Sequence, residues 1–176
     1  MRAIETKLKG CFILEPNIIK DNRGYFFEAF NEKKFKELIG NTVEFVQDNQ
    51  SKSTYGVVRG LHQQVGEHAQ AKLVRVLEGR VLDVAVDVRP HSPTYGEHVA
   101  VELSDENNRQ LFIPRGFLHG FAVLSETATF FYKCDNVYHK ESEDGVYPLD
   151  ETLSVDWQIP LDLIILSGKD KEARRF

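Results

Sequence analysis

Three side chains in this sequence could move protons, and a fourth could neutralise the charge that such a step leaves behind. His62 stands in "GVVRGLHQQ" (residues 56–64), His119 in "IPRGFLHGF", Tyr132 in "ATFFYKCDN" and Lys72 in "QAKLVRVLEG". An imidazole titrates near neutrality and suits proton abstraction, and a phenol can hand a proton back. A fixed ammonium can stabilise an oxyanion as it forms. Singly, each residue has an ordinary explanation. A strand histidine can be a satisfied core group, a lysine a solvent-facing edge residue, and a buried tyrosine a core aromatic with its hydroxyl bonded. The case for chemistry therefore rests on whether one interior holds them together.

Strand alternation says that it can. His62 and Gln64 fall on one face of their segment, Lys72, Val74 and Val76 on one face of the next, and Ala128, Phe130 and Tyr132 on one face of a third. Arg59 falls on the wrong side from His62, unless Gly60 marks a bulge that turns both inward. His119 follows a Pro-Arg-Gly turn at residues 114–116.

The elements that must position these groups are short and punctuated by Gly, Pro, Asn and Asp. "GCFILEP", "GYFFEAF", "TVEFVQDN", "GVVRGLHQQ", "QAKLVRVLEG", "RVLDVAVDVRP", "EHVAVELS", "RQLFIPRG", "GFAVLS" and "ATFFYKCDN" each read as a strand. In "VLDVAVDV", Leu82, Val84, Val86 and Val88 share one face, and Asp83, Ala85 and Asp87 the other. The "LEGRVLD" turn predicts a tight hairpin. Only "NEKKFKELIG" reads as a helix, with Gly40 as its stop. About ten strands and one helix predict an all-β sandwich or barrel. With 176 residues and no linker-like stretch, a single domain over residues 1–176 is expected.

A formal charge of −5, with no basic cluster beyond "ARRF", argues against nucleic acid as the ligand. A small phosphorylated ligand needs only two or three arginines or lysines, so it stays open. Cys11 and Cys134 lack metal-type spacing and read as reduced, buried thiols of a cytoplasmic protein. No apolar stretch approaches the roughly 20 residues of a membrane span, and no signal-like segment opens the chain.

Two motifs resemble the two-part signature of the cupin barrels. Gly56 and His62 open the first part, with Gln64 in the second histidine slot and Lys72, seven residues before Gly79, where a metal-binding glutamate would stand. Pro114, Gly116 and His119 fit the second part. A protonated lysine cannot ligate a cation. The resemblance therefore implies a cavity with no metal and with a positive charge in its place, suited to an anionic or carbonyl-bearing ligand. A metal-dependent cupin oxygenase is disfavoured for the same reason.

Over nearly its whole length the chain resembles the dTDP-4-dehydrorhamnose 3,5-epimerases. The likeness runs from "GCFILEPNIIKDNRGYFFEAFN" through "FVQDNQSKSTYGVVRGLHQQ", "AQAKLVRVLEGRVLDVAVDVR", "IPRGFLHGF" and "YKCDNVYHKESEDG" to "LSGKD". It implies a cupin-type jelly-roll β-barrel with minor helices. The activity it implies is an isomerase of dTDP-rhamnose biosynthesis, with no cofactor and a small nucleotide-sugar substrate. In that resemblance His62 is the catalytic base, Tyr132 the acid on the opposite sugar face, and Asp170 the holder of the histidine. Lys72, Arg59 and His119 are diphosphate and sugar contacts, with Lys72 placed to neutralise the enolate. Arg23, Glu28, Gln47 and Asn49 are nucleotide contacts, some reaching a neighbouring subunit's site. Tyr138 stacks on the thymine ring, and Glu143 and Lys169 also contact ligand. A homodimer is implied, with "GYFFEAF" lending contacts across its interface. Gln63 departs from the family, which more often has an aromatic there. That departure keeps open an epimerase acting on one carbon or on another nucleotide-linked keto sugar. A non-catalytic sugar-nucleotide-binding cupin is the rival from a different class, although a binder needs no proton donors on opposing faces.

Overall fold

The computed structural model describes residues 1–40 and 43–176. In chain order the strands are β1 (Arg2–Glu5), β2 (Phe12–Glu15), β3 (Ile19–Asp21), β4 (Gly24–Phe26), β5 (Gln47–Thr54), β6 (Val58–Gln64) and β7 (Lys72–Glu78). They continue with β8 (Arg80–Asp87), β9 (His98–Ser104), β10 (Gln110–Ile113), β11 (Phe117–Val123), β12 (Thr127–Cys134) and β13 (Glu143–Gly145). Helix α1 (Glu32–Ile39) starts at Asn31, whose side chain accepts from Lys34 N at 3.1 Å, and stops at Gly40. A single-turn helix, α2, spans Gly168–Lys171.

A six-stranded sheet in the order β1-β2-β10-β7-β12-β5 faces a five-stranded sheet in the order β13-β6-β11-β8-β9, and β3 and β4 form a separate hairpin. This is the all-β, cupin-type jelly roll expected. Alternation builds its core. Val74, Val76 and Phe130 from the six-stranded sheet meet Val81, Ala85 and Phe121 from the five-stranded one. The outer face of the five-stranded sheet is also apolar. Leu82, Val84 and Val86 pack there under Val146, Leu153, Trp157 and Ile159 of the C-terminal segment. Helix α1 covers the other sheet, placing Phe35 against Leu73 and Phe112.

Three expectations need correction. "LEGRVLD" does not make a hairpin: β7 and β8 lie in opposite sheets, and Gly79 between them turns the chain from one to the other. Gly79 sits at φ 83°, and a Cβ there would come within 2.1 Å of the Thr127 carbonyl oxygen. The segment "TVEFVQDN" is not a strand over its length. Thr42 lies outside the described residues, Glu44–Val46 are irregular, and the strand is the polar run Gln47–Thr54. The strand expected at "GFAVLS" begins earlier, at Phe117, so His119 stands inside β11 rather than just after a turn.

Candidate active site

Between the two sheets lies a cavity of about 520 Å³. Its five-stranded wall presents Arg59 and His62 from β6 and His119 from β11, and its six-stranded wall presents Asn49, Lys72 and Tyr132. The C-terminal segment closes a third side with Lys169 and Asp170.

Arg59 and His62 share this cavity because β6 is bulged. His62 pairs with His119 and Arg59 with Phe121, so Gly60 and Leu61 together face Gly120 alone. On the strand's other face, Val58 and Leu61 both turn toward the outer core. Gly60 makes this possible: its φ is 120°, and a Cβ there would sit 2.6 Å from Gly120 Cα. The expected bulge is present.

His62 Nε2 lies 2.6 Å from Asp170 Oδ1. Asp170 rides on α2, where its N–H donates to Ser167 Oγ at 3.1 Å. Burial pushes the Asp170 carboxyl up, but hydrogen bonding with His62 and Ser167 outweighs that and leaves it below its usual range. An ionised carboxylate beside the ring fixes one tautomer, leaves the other ring nitrogen open to accept, and stabilises the imidazolium once formed.

On the opposite wall, burial and the neighbouring Cys134 raise the Tyr132 phenol above its ordinary value, so it stays protonated at neutral pH and can donate. Lys72 Nζ lies 6.0 Å from the Tyr132 ring centroid. Burial lowers the Lys72 pKa, against the opposing influence of Cys134, Asp83 and Glu143.

The remaining predicted site residues divide into two groups. Arg59 Nε donates to Ser53 Oγ at 3.0 Å, and Gln47 Nε2 to Asn49 Oδ1 at 3.1 Å. Tyr138 donates its hydroxyl to Glu143 at 3.0 Å, and Glu143 pairs with Lys169 at the cavity rim. Arg23 and Glu28 are not brought to the cavity. Arg23 turns back on Asp21 at 2.5 Å, and Glu28 pairs with Lys34 at 2.7 Å. Gln64 is buried but does not line the cavity: its side-chain carbonyl accepts from His139 N at 2.9 Å.

Sequence reasoning missed Asp83. It is fully buried on the inward face of β8 and lies 2.9 and 3.1 Å from His119 Nε2. The available signal was an aspartate alternating with small apolar residues in a strand whose other face is wholly aliphatic. Among the described residues, no three His, Cys, Asp or Glu side chains gather as a metal site.

Groups able to move protons on facing walls, with a lysine at the position where the cupin signature carries a metal-binding glutamate, set this molecule among the cupin-fold isomerases. The model for dTDP-4-dehydrorhamnose 3,5-epimerase matches residues 5–176. The Shigella flexneri protein of that name is 51% identical over 176 residues, 100% of this chain and 96% of its own length. The crystal structure of the Elizabethkingia anophelis dTDP-4-dehydrorhamnose 3,5-epimerase superposes with a TM-score of 0.97 at 60% identity, covering 100% of this chain and 96% of that one. A Legionella pneumophila 3,5-epimerase solved with dTDP-4-keto-L-rhamnose gives a TM-score of 0.95 at 50% identity, covering 99% and 92%. The chain belongs to the dTDP-4-dehydrorhamnose 3,5-epimerase family, and it is an isomerase.

Proposed function

We propose that this enzyme inverts carbons 3 and 5 of dTDP-4-dehydro-6-deoxy-D-glucose to give dTDP-4-dehydro-L-rhamnose, with His62 as base, Tyr132 as acid and no metal. The observation that carries this reading is that His62 and Tyr132 rise from opposite sheets into one cavity. The protons on the two carbons flanking the keto group are acidic. His62 removes one, the C–H electron pair moves into the ring, and negative charge collects on the former carbonyl oxygen. Lys72 neutralises that oxygen, a contribution typically worth about 10²–10³ in rate. Tyr132 then delivers its proton to the same carbon from the other face, which inverts it. Solvent takes the proton from the imidazolium and restores the phenol; at the second carbon His62 again removes the proton, and water returns one to the opposite face.

Arg59 is placed for the diphosphate, Asn49 and Gln47 for the nucleotide, and His119, oriented by Asp83, for the sugar. Glu143 and Lys169 form the rim beside Tyr138, the candidate stacking surface for thymine, where aromatic stacking on a base is worth about 1–3 kcal/mol. Arg23 and Glu28 fit a homodimer in which they complete the partner's site. Their distance from their own cavity supports this, as does a β3–β4 hairpin that exposes Ile19, Tyr25 and Phe26. The whole of residues 1–176 acts as one catalytic domain in this reading. A cytoplasmic location fits two free, buried thiols and the lack, among the described residues, of any helix long and apolar enough to cross a membrane.

The decisive experiment is turnover of dTDP-4-dehydro-6-deoxyglucose in heavy water, with the product read by NMR. The wild-type enzyme should place deuterium at both carbons with both centres inverted. His62→Asn should lower incorporation at both by about 10²–10⁴-fold, the usual contribution of a general base. Tyr132→Phe should keep proton removal yet fail to invert at one carbon. Inversion of only one carbon by the wild type would reassign the enzyme as a monoepimerase, and full exchange in His62→Asn would remove His62 as the base.

A further inference from the structure

Outside the cavity, two histidines from distant parts of the chain lie face to face. The rings of His68 and His139 have centroids 4.0 Å apart and planes 6° from parallel. His68 ends a short 3₁₀ turn (Gly66–His68) after β6, and His139 lies in the loop after β12 that carries Tyr138.

The stack sits at the middle of a laced seam. Val65 N donates to Ser142 O at 2.8 Å, His139 N to Gln64 Oε1 at 2.9 Å, Asn136 Nδ2 to Glu67 O at 2.9 Å, and Gln70 Nε2 to Asn136 O at 2.8 Å. On the loop's other side, two tethers run to the cavity. Tyr138 N donates to Gln47 Oε1 at 2.9 Å, and Gln47 in turn bonds Asn49 on the cavity wall. The Tyr138 hydroxyl reaches Glu143, which pairs with Lys169.

The rings are not arranged as metal ligands. Imidazole lone pairs lie in the ring plane, so two nearly parallel stacked rings with centroids 4.0 Å apart cannot aim them at one point. The His139 Nδ1 edge already faces Ser142 Oγ at 3.2 Å and Glu141 at 3.5 Å. What face-to-face rings do supply is a broad apolar contact of fixed orientation, in a seam otherwise made of solvent-edge hydrogen bonds.

We propose that the His68–His139 stack is a clasp that sets Tyr138 over the nucleobase end of the substrate, making both histidines positioning residues for nucleotide affinity. This rests on the reading of Tyr138 as a base-stacking residue. The test measures dTDP affinity by calorimetry, together with kcat and KM, for the wild type, Tyr138→Ala, His68→Ala, His68→Phe and the Tyr138→Ala/His68→Ala double variant. Tyr138→Ala should weaken dTDP roughly 5- to 150-fold, the span of one lost base stack. His68→Ala should weaken it about 3- to 10-fold and raise KM with kcat within twofold, as loss of one aromatic pair predicts. His68→Phe, which keeps a flat ring, should restore wild-type affinity. The double variant should bind no more weakly than Tyr138→Ala. If Tyr138→Ala weakens dTDP while His68→Ala does not, the clasp is refuted and Tyr138 keeps its role. Failure of His68→Phe to restore binding, with its fold intact by circular dichroism, also refutes the clasp. Unchanged affinity in Tyr138→Ala overturns the base-stacking reading and the clasp with it.

Discussion

Burial holds Lys72 below the usual lysine range, yet the proposed chemistry uses its positive charge. The two agree if the substrate brings a negative charge close to Lys72. A diphosphate or an enolate oxygen nearby favours the ammonium, so the Lys72 pKa rises on binding. A group whose pKa is low in the free protein and higher in the complex takes up a proton between those two values. Binding dTDP should therefore consume protons, and affinity should fall as pH rises through that window. Calorimetry in buffers of different ionisation enthalpy reads the uptake directly, and Lys72→Met should abolish it. His62, Lys72 and Tyr132 were legible in the sequence because strand alternation alone puts them on facing surfaces. Asp83 was not, since a strand with aliphatics on one face and Asp83, Ala85 and Asp87 on the other does not announce which face is inner. Asp170 has no periodic signal at all. Its contact with His62 joins β6 to the C-terminal segment, and only the family resemblance pointed to it.

At the scale of elements, the bulge in β6 does most to build the site. Without it, ordinary alternation would send either Arg59 or His62 out of the cavity. Gly60→Ala forces a side chain into a positive-φ position and against Gly120 Cα, 2.6 Å away. Such strain costs about 1–3 kcal/mol. The expected result is a lower melting temperature by calorimetry together with activity falling well beyond what that loss of stability explains. A variant that melts lower but keeps full turnover would show that the bulge serves folding alone. The bulge could be inferred from a glycine between two polar residues in a strand. Strand β5 was placed only in part, at residues 47–49, because Gln47, Asn49, Ser51 and Ser53 alternate against exposed residues and the strand lacks a hydrophobic period. The course from β7 to β8 was misread because one glycine can serve equally for a hairpin and for a crossing between sheets.

For the whole molecule, the proposed dimer makes a test of its own. Phe26 is 68% exposed on the β3–β4 hairpin. Phe26→Asp should shift sedimentation from dimer toward monomer and weaken dTDP binding, because Arg23 travels on the same hairpin. A wild-type protein sedimenting as a monomer would end that proposal. The C-terminal segment has a further consequence. It roofs the outer face of the five-stranded sheet, is stitched by isolated bridges at Val57–Ile165 and Val146–Arg174, and delivers Asp170 to His62. Loosely stitched covers open before the strands beneath them separate. The sole tryptophan, Trp157, is anchored in that roof by its indole N–H to the Pro148 carbonyl at 2.8 Å. In rising urea, catalysis should therefore disappear in step with the Trp157 emission shift, while far-ultraviolet dichroism still reports an intact barrel. The enzyme thus carries its own fluorescent gauge of whether Asp170 is held against His62.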